Sequence, residues 1–213
     1  MTAEEIIKEL GIEEDVIAIL PYGSQVYGTA NAQSDHDYII VTKGSTLASG
    51  AFKQNAISNS DYSIQGVLYS RGGFINALDD YEIGAMECAS LTDDQVVLTT
   101  PIFEKFVVGK ERKWDEKTMV KKIIQKASAS WHIADMQAKD GFKDRSKKGI
   151  YHALRILKFG LQLKEHQKIV DFTEGSEFKY TFSSIPDEEF DTRDYIEVRD
   201  ELMAQLRGET NEE

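Results

Sequence analysis

Gly23-Ser24-Gln25-Val26-Tyr27-Gly28-Thr29-Ala30-Asn31-Ala32-Gln33-Ser34-Asp35-His36-Asp37 stands between two runs that read as β-strands. Before it, Asp15-Val16-Ile17-Ala18-Ile19-Leu20 is a continuous apolar run of strand length, and Pro21 is expected to stop it. After it, the chain from Asp35 to Thr42 passes through Tyr38-Ile39-Ile40-Val41, four strongly β-prone residues. Within the stretch, the segment from Ser24 to Gly28 has room for one or two helical turns, and Thr29 to Ser34 is a small polar loop. The order is therefore strand, Gly-Ser turn, short helix, strand.

Asp35 and Asp37 are two apart on the second strand, so both carboxylates leave the same face. Side by side, two anions repel unless something positive lies between them. A hard divalent cation with oxygen ligands resolves that repulsion, and Mg²⁺ typically uses one or two carboxylates together with phosphate oxygens. Beside a nucleoside triphosphate such ions neutralise the transferring phosphoryl group. Gly23 lets the backbone approach a phosphate, helix N-terminal N–H groups attract anions, and the Ser24 hydroxyl adds a donor. Asp61 is the only acidic residue between Asp37 and Asp79, and it opens the next β-prone run, Asp61 to Tyr69. If that strand lies beside the first pair, Asp61 is the third metal ligand; otherwise it is a solvated residue at a strand start.

The Gly-Ser, Tyr-Gly and Ser-Asp-x-Asp elements of residues 23–37 resemble the signature of the DNA polymerase β-like nucleotidyltransferase superfamily. They look most like its bacterial and phage group of predicted nucleotidyltransferases. The close match covers about 15 residues, and the order of elements extends the likeness loosely over most of the chain. The resemblance implies an α+β fold, with a small mixed sheet and flanking helices followed by a mainly helical C-terminal part. It implies that Asp35, Asp37 and Asp61 are catalytic and hold Mg²⁺ or Mn²⁺. Gly23, Ser24 and Ser34 are then expected at the nucleotide. The activity implied is transfer of a nucleoside monophosphate from a triphosphate, ATP first among them, to an acceptor hydroxyl on an RNA end, a protein or a small molecule. Two other readings stay open. One is a nucleotide-binding sensor or partner-binding module without turnover on the same fold. The other is a structural α/β protein whose Asp-x-Asp is accidental.

Outward from this core, residues 4–10 read as a short helix and residues 43–60 as a loosely ordered, Gly-, Ser-, Ala- and Asn-rich connection. Gly72-Gly73 precedes a helix around Phe74, Ala77 and Leu78, and Gln95 to Thr99 is a short extended segment closed by Pro101. From Asp115 the period becomes helical: Val120, Ile123, Ile124, Ala127, Trp131 and Ala134 recur at three- and four-residue steps. A second long helix is expected over 146–165, a third over 194–206, and a frayed tail over 208–213. The division expected is a nucleotidyltransferase domain over 1–110 and a helical domain over 111–213. On the helix 146–165, Lys148, His152, Arg155 and Phe159 share one face, with Ile150, Leu154, Leu157 and Leu161 on another. Lys148 and Arg155 either clamp triphosphate oxygens, as such helices do in the resemblance class, or belong to an ordinary solvated face.

The net charge of −12 hides an asymmetry: residues 105–168 hold 17 Lys and Arg against 7 Asp and Glu. The bulk acidity disfavours long duplex nucleic acid, whereas the basic segment keeps an RNA end open as acceptor. Long helices carrying solvated lysines account for the same numbers. No apolar run approaches the ~20 residues needed to span a bilayer, and Met1 to Glu5 lacks the features of a secretory signal. Cys88 is the single cysteine, which excludes an intramolecular disulfide and a multi-thiolate zinc site. A cytoplasmic protein is expected, with Cys88 as a small buried apolar residue.

Overall fold

Residues 1–44, 55–107 and 114–209 are described by the computed structural model of the chain. They divide into two compact units, Met1–Lys113 and Trp114–Glu213. Of the connection expected over 43–60, residues 45–54 lie outside the described residues, as do residues 210–213 of the tail.

In the first unit, helix α1 (Ala3–Glu9) begins at a capping box, in which the Glu5 N–H donates to Thr2 Oγ1 and the Thr2 N–H to Glu5 Oε2. It carries the fully buried Ile6 into the core. Strands β1 (Val16–Tyr22), β2 (His36–Thr42), β3 (Asn55–Ser58), β4 (Ile64–Ser70) and β5 (Leu98–Thr99) form one sheet in the order β3-β4-β2-β1-β5. The sheet is mixed: β2 and β4 run parallel, and every other neighbouring pair is antiparallel. One face packs Ile6 of α1 against Ile19, Tyr38, Ile40, Ile64 and Leu68. The other faces helices α2 (Arg71–Asp79), α3 (Ile83–Ala89) and α4 (Pro101–Val107). There Phe74 of α2 meets Tyr69 of β4 edge-on and leans on Phe103 of α4. The expected α+β architecture, with a small mixed sheet, flanking helices and a helical C-terminal part, is present.

Pro21 does not stop β1. Ile17 and Ile19 present their carbonyls to Thr100 and Val97 on the β5 side, and Pro21 follows them in phase. Because β5 pairs only with Ala18 and Ile19, the N–H that proline lacks has no ladder partner to lose. The strand therefore runs two residues further and delivers Tyr22 opposite Asp37.

The second unit is helical, with α5 (Glu116–Lys139), α6 (Lys143–His166), α7 (Ser176–Ser184) and α8 (Ile196–Arg207). Asp115 caps α5 by accepting from the Thr118 N–H. Gly149 lies beside Ala134, and Gly160 beside Ile123, so α5 and α6 run antiparallel at close range. The stripe expected on α5 is buried at Ile123, Ala127, Trp131 and Ala134, whereas Met119 takes the inward position expected of Val120. Among the described residues no helix is long and apolar enough to cross a membrane.

Candidate active site

Strand pairing builds the site from three side chains in a row. Tyr22 on β1 is opposite Asp37 on β2, and Asp37 is opposite Gln65 on β4. Directly opposed residues share a face, so these three lie on the side of the sheet that bears α2 and α3. Tyr38 and Ile40 alternate into the α1 core, which keeps Asp37 off that face. Asp35, one residue before β2 begins, accepts a hydrogen bond at Oδ2 from Gln65 Nε2. The structure thus brings Asp35 and Asp37 to one place, half-buried at the start of β2, as their two-residue spacing predicts. His36 between them is exposed.

Gly23 closes the site from the β1 side. Its φ is +78°, and a Cβ there would sit 2.6 Å from Asp37 Oδ2 and 3.3 Å from Asp37 Cβ and Cγ. The backbone can come this close to the carboxylate only without a side chain. Gly23 to Gln25 form one 3-10 turn, shorter than the expected helix. A single turn sums few peptide dipoles, so the helix terminus expected to attract a phosphate is reduced to three residues, whereas the close approach at Gly23 is present. Ser24 lies half-buried in this turn, and its carbonyl accepts from the Thr29 N–H. Ser34 is drawn into the loop: its Oγ accepts from the Asn31 N–H at 2.9 Å.

Asp61 is not brought to the pair, which corrects the expectation of a third metal ligand there. The strand begins at Ile64 rather than at Asp61, and Asp61 lies in an exposed turn. Its Oδ1 accepts from the Ser63 N–H at 3.0 Å and the Ser63 hydroxyl at 2.7 Å. Those hydrogen bonds hold its carboxyl below the usual range. Among the described residues no three His, Cys, Asp or Glu side chains gather as a metal-binding group.

Three contributors were not foreseen in the sequence: Gln65, Tyr22 and Glu87. Burial, and next the Asp37 charge, push the Tyr22 phenol up to about 12, so it stays a neutral hydroxyl through ordinary pH. Glu87 of α3 is 3% exposed, and its Oε2 accepts from the Tyr27 hydroxyl at 2.5 Å. Tyr27 is itself buried, so this bond anchors the loop from Gly23 to Gly28 onto α3. An acid inside the otherwise apolar run Ile83-Gly84-Ala85-Met86-Glu87-Cys88 was the available signal. Cys88 is buried as expected, and burial raises its thiol well above its ordinary value.

In the helical unit the face expected either to clamp triphosphate or to lie in solvent is divided between exposed and buried residues. Phe159 is fully buried and Arg155 is 5% exposed; of the two predicted clamp residues only Lys148 is exposed. The Arg155 guanidinium lies over Tyr151 at 5.2 Å and Phe159 at 5.7 Å, and donates to Tyr151 Oη and His152 Nδ1. A guanidinium has no acceptor, so His152 Nδ1 must be the unprotonated nitrogen. Burial first, and then the charges of Arg155, Lys126 and Lys148, push the His152 pKa down to about 4. These contacts commit Arg155 to the interior of its own unit.

No family model matches the chain, and no curated protein matches it. Among solved structures, it is similar to a nucleotidyltransferase-like protein from Exiguobacterium sibiricum 255-15, at 11% identity and a TM-score of 0.35, over 96% of this chain and 73% of that one.

Proposed function

We propose that the unit Met1–Lys113 carries a metal-dependent nucleotidyltransferase site. It takes a nucleoside triphosphate, ATP first among them, and moves the nucleoside monophosphate to an acceptor hydroxyl. The observation that supports this most is the joint presentation of Asp35 and Asp37 beside Gly23, where the backbone comes within a missing side chain's width of Asp37.

The donor set fits Mg²⁺ or Mn²⁺ held jointly by protein and ligand. Two carboxylates and phosphate oxygens are its ordinary partners, and two carboxylates are present. Asp35 and Asp37 would hold the ion, which supplies neutralisation of phosphate charge. Gly23 leaves a side-chain-free approach for the phosphates, and the Ser24 hydroxyl would add a hydrogen-bond donor. Tyr22, neutral at ordinary pH, stands opposite Asp37 in the sheet without adding charge. In the transfer, the acceptor oxygen bonds to the α-phosphorus, the bond from that phosphorus to the bridging oxygen breaks, and pyrophosphate leaves. The acceptor's proton goes to solvent.

An RNA end is the acceptor favoured by the basic segment 105–168, with protein and small-molecule hydroxyls as the alternatives. A cytoplasmic setting is part of the proposal, supported by the single, buried cysteine. Gln65 favours a second reading, in which the same site binds nucleotide with little or no turnover, because an amide takes the place opposite Asp37.

Calorimetric titration of the full chain with ATP and Mg²⁺ tests the binding, and incubation with α-labelled ATP and candidate acceptors tests the transfer. Binding that disappears in Asp35→Ala and Asp37→Ala supports the site. Undiminished binding or transfer in both variants defeats it.

A further inference from the structure

We infer that Gln65 occupies the place of a third carboxylate and makes this a site that takes its divalent cation only together with the triphosphate. The inference rests on the reading of Asp35 and Asp37 as metal ligands. Gln65 is opposite Asp37 across the parallel β2–β4 ladder, on the same face of the sheet. Its amide nitrogen donates to Asp35 Oδ2 and, at 3.3 Å, to the carbonyl of Tyr62. Two acceptors on one side of the amide fix its orientation, since the reversed amide would set its oxygen against two others. In that orientation Gln65 holds Asp35 beside Asp37 and partly neutralises the pair with a dipole.

A carboxylate at this position would act in the opposite sense. It would add a third negative charge against Asp35, which either a shared proton or a divalent cation would have to compensate, and the cation would be drawn to all three carboxylates. With Asp61 Oδ1 engaged by Ser63 and no cluster of three His, Cys, Asp or Glu side chains among the described residues, those residues supply two anionic ligands here, Asp35 and Asp37. Two carboxylates leave most of the coordination sphere of Mg²⁺ to phosphate and water. Gln65 is accordingly a positioning residue that lets Asp35 and Asp37 stand together before a metal binds and hands metal affinity to the nucleotide.

Glutamate is isosteric with glutamine, so Gln65→Glu changes charge with little change of shape. The full chain, wild type and Gln65→Glu, is titrated with Mn²⁺ in the absence of nucleotide, and its melting temperature is followed in EDTA and in Mn²⁺. Gln65→Glu is expected to bind free Mn²⁺ at least about ten-fold tighter than wild type. It should melt below wild type in EDTA and recover in Mn²⁺. Gln65→Ala, which removes the hydrogen bond without adding charge, should gain no Mn²⁺ affinity. Equal Mn²⁺ affinity in wild type and Gln65→Glu overturns the inference. So does a wild type that binds ATP and whose melting temperature Mn²⁺ alone raises as far as Mn²⁺ with ATP, a measurement that needs no variant. Because the Mn²⁺ titration contains no nucleotide, a wild type that fails to bind ATP defeats the nucleotidyltransferase reading separately, and leaves the comparison at residue 65 to be judged on its own.

Discussion

Replacing Gly23 by alanine separates two properties that the site asks of one residue. Gly23 has φ +78°, in the left-handed region, where a non-glycine residue costs roughly 1–2 kcal/mol. Alanine also narrows the unfolded ensemble, which returns about 0.4–1 kcal/mol. Gly11 provides the control, since it has φ +62° and nothing within 4 Å of a built Cβ. Gly11→Ala therefore reports backbone strain alone, with a net cost of about 1 kcal/mol or less. At Gly23 the new Cβ would stand 2.6 Å from Asp37 Oδ2 and 3.3 Å from Asp37 Cβ and Cγ. The carboxylate must turn away from its place in the row between Tyr22 and Gln65. Overpacking of this kind adds about 1–3 kcal/mol. Gly23→Ala is thus expected to cost about 2–4 kcal/mol and to lower the melting temperature by roughly 4–8 °C per kcal/mol, as in a unit of this size. Calorimetry should show loss of MgATP binding in Gly23→Ala and its retention in Gly11→Ala. In an Asp37→Ala background the excess cost of Gly23→Ala over Gly11→Ala should shrink, because the clashing group is gone. A Gly23→Ala protein as stable as Gly11→Ala, with MgATP binding intact, would refute the reasoning.

Other expectations are independent of that one. Tyr27→Phe removes the hydroxyl that donates to the buried Glu87 and should cost roughly 1–3 kcal/mol in chemical denaturation, with looser protection of the Gly23–Gly28 backbone in hydrogen exchange. His152, pushed down to about 4 in the folded chain, takes up a proton in the unfolded state first. Its contribution to stability is therefore complete above about pH 6.5 and is lost as pH falls towards 4, on the order of 2–3 kcal/mol. Denaturation midpoints between pH 4 and 7 should fall less steeply in His152→Gln, and an unchanged slope would contradict the assignment. Gly160→Ala places a Cβ 2.7 Å from Ile123 Cγ2 between α5 and α6. Despite a gain of about 1 kcal/mol in helix propensity, it should lower stability by about 1–2 kcal/mol net, read from the thermal melt.

What could be read in the chain and what could not divide along a physical line. The placement of Asp35 and Asp37 needed only a strand with a period of two and the β-branched run that follows it, both local properties. Gln65 was hidden because its position depends on where β4 starts, and that depends on a turn. Asn59 Oδ1 accepts from the Ile64 N–H, Asp61 caps Ser63, and Tyr62 turns the chain at φ +61°. These contacts delay the strand by three residues, and the delay decides which side chain meets Asp37. β3 was missed for a related reason: Asn55-Ala56-Ile57-Ser58 has weak β preference of its own and is fixed by pairing with β4. α6 shows the same limit among helices. Its apolar stripe is real, but Arg155 and Phe159 are also buried, because neighbours from α5, α7 and α8 surround the helix. A charged residue reads as solvated until its aromatic partners, Tyr151 and Phe159, are known to stack on it. The consequence reaches function. The acidic pair, legible from spacing, carries the proposed nucleotide and metal site, while the amide opposite it, legible only from register, is the residue to which the proposal assigns the strength of metal binding before nucleotide arrives.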